Sequence, residues 1–187
     1  VPEQYNRLLH EIRCKAIFRG RRRYRESAAG PVLTRPEMKA SSFFTPAQQD
    51  VIARAIAEAE HSTSGEIRVH VETSCKGDVL DEAAWLFRRL GMHKTADRNG
   101  VLIYLALKER KFAIIGDTGI NSAVPLGFWD EIRDHMKLRF SESLFAEGLA
   151  EGIIMTGEQL KEHFPFSKDD INELTDTISF DINKTTE

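Results

Sequence analysis

From Thr45 onward, hydrophobic and polar positions repeat with two clear periods, one helical and one extended. Val51, Ile52, Ala55, Ile56 and Ala59 recur at helical spacing. They follow Thr45-Pro46, an N-cap with proline at the first helical position, and Ser62-Thr63-Ser64-Gly65 breaks the helix after about His61. Residues 66–73 alternate apolar and polar, the pattern of a half-buried strand. Asp78 caps a second helix whose apolar face is Leu80, Ala83, Ala84, Phe87 and Leu90, and Gly91 stops it. Val101–Leu107 is a continuous apolar run, as in a strand covered on both faces. A polar turn, Lys108-Glu109-Arg110-Lys111, joins it to a strand over residues 112–115, which makes a β-hairpin. A loop over 116–125 leads to a helix from about Phe128 to Phe140, and a last helix runs from about Glu142 to His163.

The order helix, strand, helix, strand, strand, helix, helix predicts an α/β fold, a three-layer α/β/α sandwich on a small mixed β-sheet. The first strand–helix–strand unit requires two parallel strands, and the hairpin adds an antiparallel one. Domain organisation follows from the same pattern: a basic leader over 1–37, a compact domain over 38–164, and an acidic tail over 165–187. Tyr5, Leu8, Leu9, Ile12 and Ala16 have helical spacing, so the leader reads as a helix followed by the Arg21–Arg25 cluster. In the tail, Ile171, Leu174, Ile178 and Phe180 interrupt the acidic residues and offer an apolar strip that packs on the domain, stays unstructured or docks a partner.

Composition narrows the class. With 187 residues the chain can bury a substantial core without staples. The longest apolar run is too short for a membrane span. Two cysteines, Cys14 and Cys75, support neither a disulfide framework nor a cysteine-based zinc site, which fits a reducing compartment.

The formal net charge of −3 hides a division: residues 1–37 hold nine basic and four acidic side chains, the remainder seventeen against twenty-five. The first methionine is Met38, so one reading takes the leader as foreign, with translation beginning there. The alternatives are a solvated native arm or an arm that binds nucleic acid or an anionic membrane.

No nucleophile elbow, phosphate-binding glycine loop or dinucleotide fingerprint is present in the sequence, and the six histidines never fall at metal-ligand spacing. Strand directions point to a different site. The N-terminal ends of the two parallel strands and the C-terminal end of the antiparallel one share an edge of the sheet. Three loops therefore meet there: 64–66, 97–100 and 116–121. They bring Glu66, Asp97, Asn99 and Asp117, hard oxygen donors suited to Ca²⁺ or Mg²⁺ rather than Zn²⁺. The same residue types are ordinary turn formers, and Asp97 or Asp117 can equally pair with Arg98 or cap a helix. The opposite edge, residues 73–78, opens a helix where a phosphate can bind, but Asp78 would repel it.

Four segments carry a family resemblance: Ser64-Gly65-Glu66-Ile67-Arg68-Val69, Arg98–Tyr104, Arg110–Ile120 and Phe145-Ala146-Glu147-Gly148-Leu149. In this order and spacing, across residues 44–164, the chain resembles the TPM-domain family, named after thylakoid-lumen, photosystem II repair and receptor-modulating members. Residues 169–174 and 178–180 are similar to those of a bacterial subgroup without the usual membrane anchor. The resemblance implies an α/β/α sandwich. It also implies divalent-cation binding, accessory roles in complex assembly or repair, and, in plant members, weak acid-phosphatase activity. The matched loop positions are Glu66, Asn99, Gly116 and Gly119. Many relatives have glycine or an aromatic residue at the position of Asp117, so no catalytic role transfers to it.

The resulting expectation is a non-enzymatic accessory or interaction module that binds Ca²⁺ or Mg²⁺ at the loop edge, with an unidentified protein partner. The alternative is a metal-dependent phosphomonoesterase using Asp117 as base or nucleophile. Nucleic acid is expected as a partner only if the leader is native. With no signal peptide or membrane helix read in the sequence, the expected location is cytoplasmic.

Overall fold

The computed structural model describes residues 39–166 and 177–182, and the backbone of 13–17. A mixed sheet of five strands is covered by helices on both faces. β1 (Arg13–Ile17), β2 (Ile67–Glu72), β3 (Val101–Ala106), β4 (Lys111–Gly116) and β5 (Ser179–Phe180) lie in the order β1-β4-β3-β2-β5. β2 pairs in parallel with β3 and β5, while β4 is antiparallel to β3 and to β1. On one face lie α1 (Pro46–Glu60), α3 (Thr118–Ala123), α4 (Phe128–Ser141) and α5 (Phe145–His163); α2 (Val79–Arg89) covers the other. The predicted α/β/α sandwich is thus the fold, and no helix among the described residues is long and apolar enough to cross a membrane.

Alternation along the strands divides the core. Ile67, Val69, Val71, Val101, Ile103 and Leu105 face α1, α4 and α5, whereas Leu102, Tyr104, Ala106 and Ala113 face α2. Every residue of β3 is buried, as its unbroken apolar run requires of a central strand. Edge-on ring contacts such as Phe112–Phe140, with centroids 5.2 Å apart, tie α4 to the sheet. Thr45 and Gln48 form a reciprocal capping box at the start of α1, and the Asp78 side chain accepts from the Leu80 amide to start α2.

Four expectations need correction. Residues 13–17 are not helical; they pair along the outer edge of β4, whose backbone groups outweigh a weak local periodicity. The rest of the leader, with its arginine cluster, lies outside the described residues, as do Ile171 and Leu174 of the tail. The supposed loop over 116–125 contains α3, capped by Asp117. β2 is not half-buried, because His70 and Glu72 are as inaccessible as their apolar neighbours. Finally, Val51 is exposed rather than part of the buried face of α1.

α4 and α5 are joined by one ionic cluster. Arg139 donates to both oxygens of Glu151 at 2.7 and 2.6 Å, and His135 Nε2 lies 2.5 Å from the same carboxylate. The guanidinium first, and the imidazole after it, hold Glu151 down to about 2. A carboxylate depressed in this way stabilises the fold above its unfolded value near 4.5 and loses that contribution as pH falls through about 2. Both side chains are about one-third exposed, so solvent screening limits the effect. Glu151→Gln is expected to cost about 0.5–1 kcal/mol at pH 7 and progressively less as pH falls toward 2, as read from paired urea titrations.

Candidate functional site

The three loops predicted to meet do meet at the N-terminal ends of β2 and β3, fastened by backbone hydrogen bonds. The Val101 amide donates to the Glu66 carbonyl at 2.7 Å, and the Asp117 amide to the Gly100 carbonyl at 2.9 Å. Arg98 is the hub of the remaining contacts. Its carbonyl accepts from the amides of Gly119 at 2.9 Å and Ile120 at 3.3 Å. A Cβ at Gly119 would lie 2.1 Å from the Asp97 carbonyl oxygen and 2.7 Å from that of Arg98, so only glycine permits this approach. Gly116 is equally enclosed: its Cβ would meet Asn121 Oδ1 at 2.6 Å and the Trp129 ring at 2.7 Å.

Arg98 has φ +54°, a left-handed conformation that costs an arginine about 1–2 kcal/mol. The strain is held by its side chain. Nε donates to Asp117 Oδ2 at 2.7 Å and Nη2 to Oδ1 at 2.8 Å, a bidentate pair with the carboxylate buried and the guanidinium partly exposed. This hydrogen bonding raises the Arg98 pKa further. Asp117 Oδ1 also accepts from the Thr118 amide at 2.7 Å, so the same carboxylate caps α3. Both turn-chemistry alternatives, an Arg98 pair and a helix cap, therefore occur at Asp117.

The other predicted donors form a separate corner. Asn99 is buried; its backbone amide donates to Thr95 Oγ1 at 3.2 Å and its Nδ2 to Ser64 Oγ at 3.2 Å. Ser64 Oγ in turn lies 3.5 Å from Asp97 Oδ2, on an exposed residue. Glu66 is buried at the start of β2. The Asn99 Oδ1 atom is buried with no hydrogen-bond partner among the described residues. Such an atom carries a cost of about 1–3 kcal/mol unless something occupies it. Ser64 was not singled out as a donor in the sequence, although it stands two residues before Glu66 in the first loop. Pairing of Arg98 with Asp97 or Asp117 was an expected alternative; its left-handed backbone was not legible in the sequence.

The side chains at this corner are oxygen donors of mixed type rather than a carboxylate cage. Among the described residues, no three His, Cys, Asp or Glu side chains are placed to share an ion. The corner instead offers an amide oxygen, a hydroxyl and a carboxylate. Ca²⁺ takes such ligands together with backbone carbonyls and water, and Mg²⁺ retains several waters. Asp117 stands apart, with both oxygens engaged by Arg98.

Comparison with known proteins adds family context. Residues 38–159 match the TPM domain family. The solution structure of the BA42 protein from the psychrophilic bacterium Bizionia argentinensis is 45% identical with a TM-score of 0.70, covering 75% of this chain and 97% of that one. The N-terminal domain of a P. gingivalis protein is 26% identical with a TM-score of 0.57, covering 68% of this chain and 84% of that one. No match is found among curated proteins.

Proposed function

Since the chain belongs to the TPM domain family, we propose that it is a divalent-cation-binding module of accessory rather than enzymatic character. In this reading Ca²⁺ or Mg²⁺ is held at the Asn99–Ser64–Asp97 corner, with Glu66, buried two residues after Ser64, as a further candidate donor. The unsatisfied, buried Oδ1 of Asn99 carries the proposal. A cation satisfies that atom, and the Ser64 hydroxyl, which accepts from Asn99 Nδ2, and the Asp97 carboxylate 3.5 Å beyond it are the further protein oxygens of this reading. The bound ion contributes positive charge that links the 64–66 and 97–100 loops and presents them as one surface to a protein partner.

Asp117 has a positioning role here rather than that of a ligand. Its carboxylate neutralises Arg98, which otherwise places a positive charge in the same loop as Asp97 and Asn99. The phosphomonoesterase alternative has the weaker basis, because the carboxylate it requires as base or nucleophile is bound at both oxygens by the guanidinium.

Calorimetric titration with CaCl₂ and with MgCl₂ tests the ligand set. Asn99→Ala is expected to weaken binding about tenfold, and Asp97→Asn by at least as much. Equal affinity in the wild type and both variants would remove this corner from the site.

A further inference from the structure

The first loop of the Asn99 corner is fastened from outside the corner. Ser62-Thr63-Ser64-Gly65 joins α1 to β2, and the chain leaving α5 lies beside it, with Thr63 and Pro165 in an isolated antiparallel bridge. The Ser64 amide donates to the Phe164 carbonyl at 3.0 Å, and the Phe166 amide donates to the Ser62 carbonyl at 3.2 Å. The Phe164 amide closes the last turn of α5 on the Leu160 carbonyl at 2.6 Å. Ser64 is thus held from two sides. Asn99 Nδ2 donates to its hydroxyl, and the exit of α5 accepts from its backbone.

Thr63 is the joint between the two segments. Its hydroxyl donates to the Phe164 carbonyl at 2.5 Å and accepts from the Gly65 amide at 3.1 Å. With both roles of the hydroxyl in use, Thr63 is not itself a cation ligand. It fixes the backbone on either side of Ser64, and with it the direction of the Ser64 hydroxyl. The residue is buried, so removing its oxygen leaves the Gly65 amide without that acceptor in a place water does not readily reach. The loop has little room to shift along α5. A Cβ at Gly65 would lie 2.5 and 2.9 Å from the two methyl carbons of Leu160, and one at Gly157 would meet Ala59 Cβ of α1 at 2.5 Å.

We infer that Thr63 is a positioning residue for the cation corner, and that through it cation affinity is linked to the seating of residues 164–166 at the exit of α5, a linkage that rests on the corner being the cation site. An ion that takes the Asn99 and Ser64 oxygens needs Ser64 where Thr63 holds it. A bound ion in turn restrains residues 62–65 and, across the bridge, residues 164–166. The two effects are one coupling: the ion tightens the exit of α5 by the factor that a seated exit adds to cation affinity.

The test titrates the full chain with CaCl₂ in three forms: wild type, Thr63→Val and Thr63→Ser. Valine keeps the branched shape and neither hydrogen bond, whereas serine keeps both bonds. Thr63→Val is expected to weaken calcium binding about tenfold and Thr63→Ser less than about twofold, with unmoved β3 and β4 amides as the check on folding. A second arm needs no variant. Amide exchange at Phe166 in the wild type should slow about fivefold or more at calcium saturation, while exchange in α2, on the opposite face of the sheet, stays as it was. This arm decides even where Thr63→Val does not fold. Saturable wild-type binding with equal affinity in Thr63→Val, or with unchanged exchange at Phe166, would overturn the linkage and leave the cation site standing. No saturable binding to the wild type removes the site itself, and the linkage with it.

Discussion

Gly119→Ala is expected to destabilise the protein by about 3 kcal/mol or more, in excess of an ordinary overpacking change, because the added methyl meets backbone rather than a movable side chain. Its Cβ would stand 2.1 Å from one carbonyl oxygen and 2.7 Å from the next, with no rotamer change able to relieve either contact. The 97–98 loop must move away from α3. That movement breaks the bonds from Gly119 and Ile120 to the Arg98 carbonyl and loosens the Arg98–Asp117 pair. Gly77→Ala is the matched control: a Cβ there meets nothing within 4 Å and the backbone is not left-handed. It should be neutral or stabilising by about 0.4–1 kcal/mol through the unfolded chain. Urea unfolding of the two variants beside the wild type measures both, and equal midpoints would show that the loops are not packed as described.

Asp117→Asn is expected to cost about 2–3 kcal/mol. The asparagine is nearly isosteric but lacks the charge that holds a guanidinium in bidentate contact, and its amide cannot accept through both terminal atoms. The buried side of the pair sets the cost, while the partial exposure of Arg98, with 42% of its side chain accessible, keeps it below that of a fully buried pair. The substitution also separates two roles. An Asp117 that positions the loop leaves Arg98 charged and released beside Asp97, so cation affinity falls by about tenfold through repulsion. Pairing it with Arg98→Gln removes that charge and should recover most of the lost affinity, whereas a ligating Asp117 gives no recovery. Calorimetry on the single and double variants distinguishes the two outcomes.

What the sequence reveals and what it conceals divide along physical lines. Long elements with strong periodicity, α1, α2 and the β3–β4 hairpin, were legible because their buried stripes are encoded locally. α3 was not, since six residues with one fully buried side chain, Ile120, show no period. β1 and β5 exist through pairing with edges contributed by distant parts of the chain, and local composition carries little of that information. The burial of His70 and Glu72 was concealed for the same reason. Their partners are Ser179, 109 positions beyond His70, and Tyr104, 32 positions beyond Glu72, whose hydroxyl donates to that carboxylate at 2.6 Å. Burial, then that hydrogen bond, pushes the tyrosine hydroxyl well above the usual phenol range, so it remains a donor throughout the stable pH range.

At the site, strand directions alone foretold which loops meet, and Asn99 followed from its place in one of them. The division of labour among the carboxylates did not follow. Asp97 and Asp117 flank loops of similar composition, yet one is exposed beside Ser64 and the other is closed on Arg98. That difference depends on the left-handed backbone at Arg98, which turns its guanidinium toward α3.

An amide-shift titration of the wild-type chain with CaCl₂, repeated with MgCl₂, tests the central claim most directly. Cation binding at the Asn99 corner predicts saturable shifts concentrated at residues 64–66 and 97–100, with the Asn99 side-chain amide among the largest. Weaker movement at 117–119 should follow through the Arg98 bonds. Uniform, non-saturating shifts, or saturable ones centred elsewhere while the Asn99 amide stays still, would contradict it.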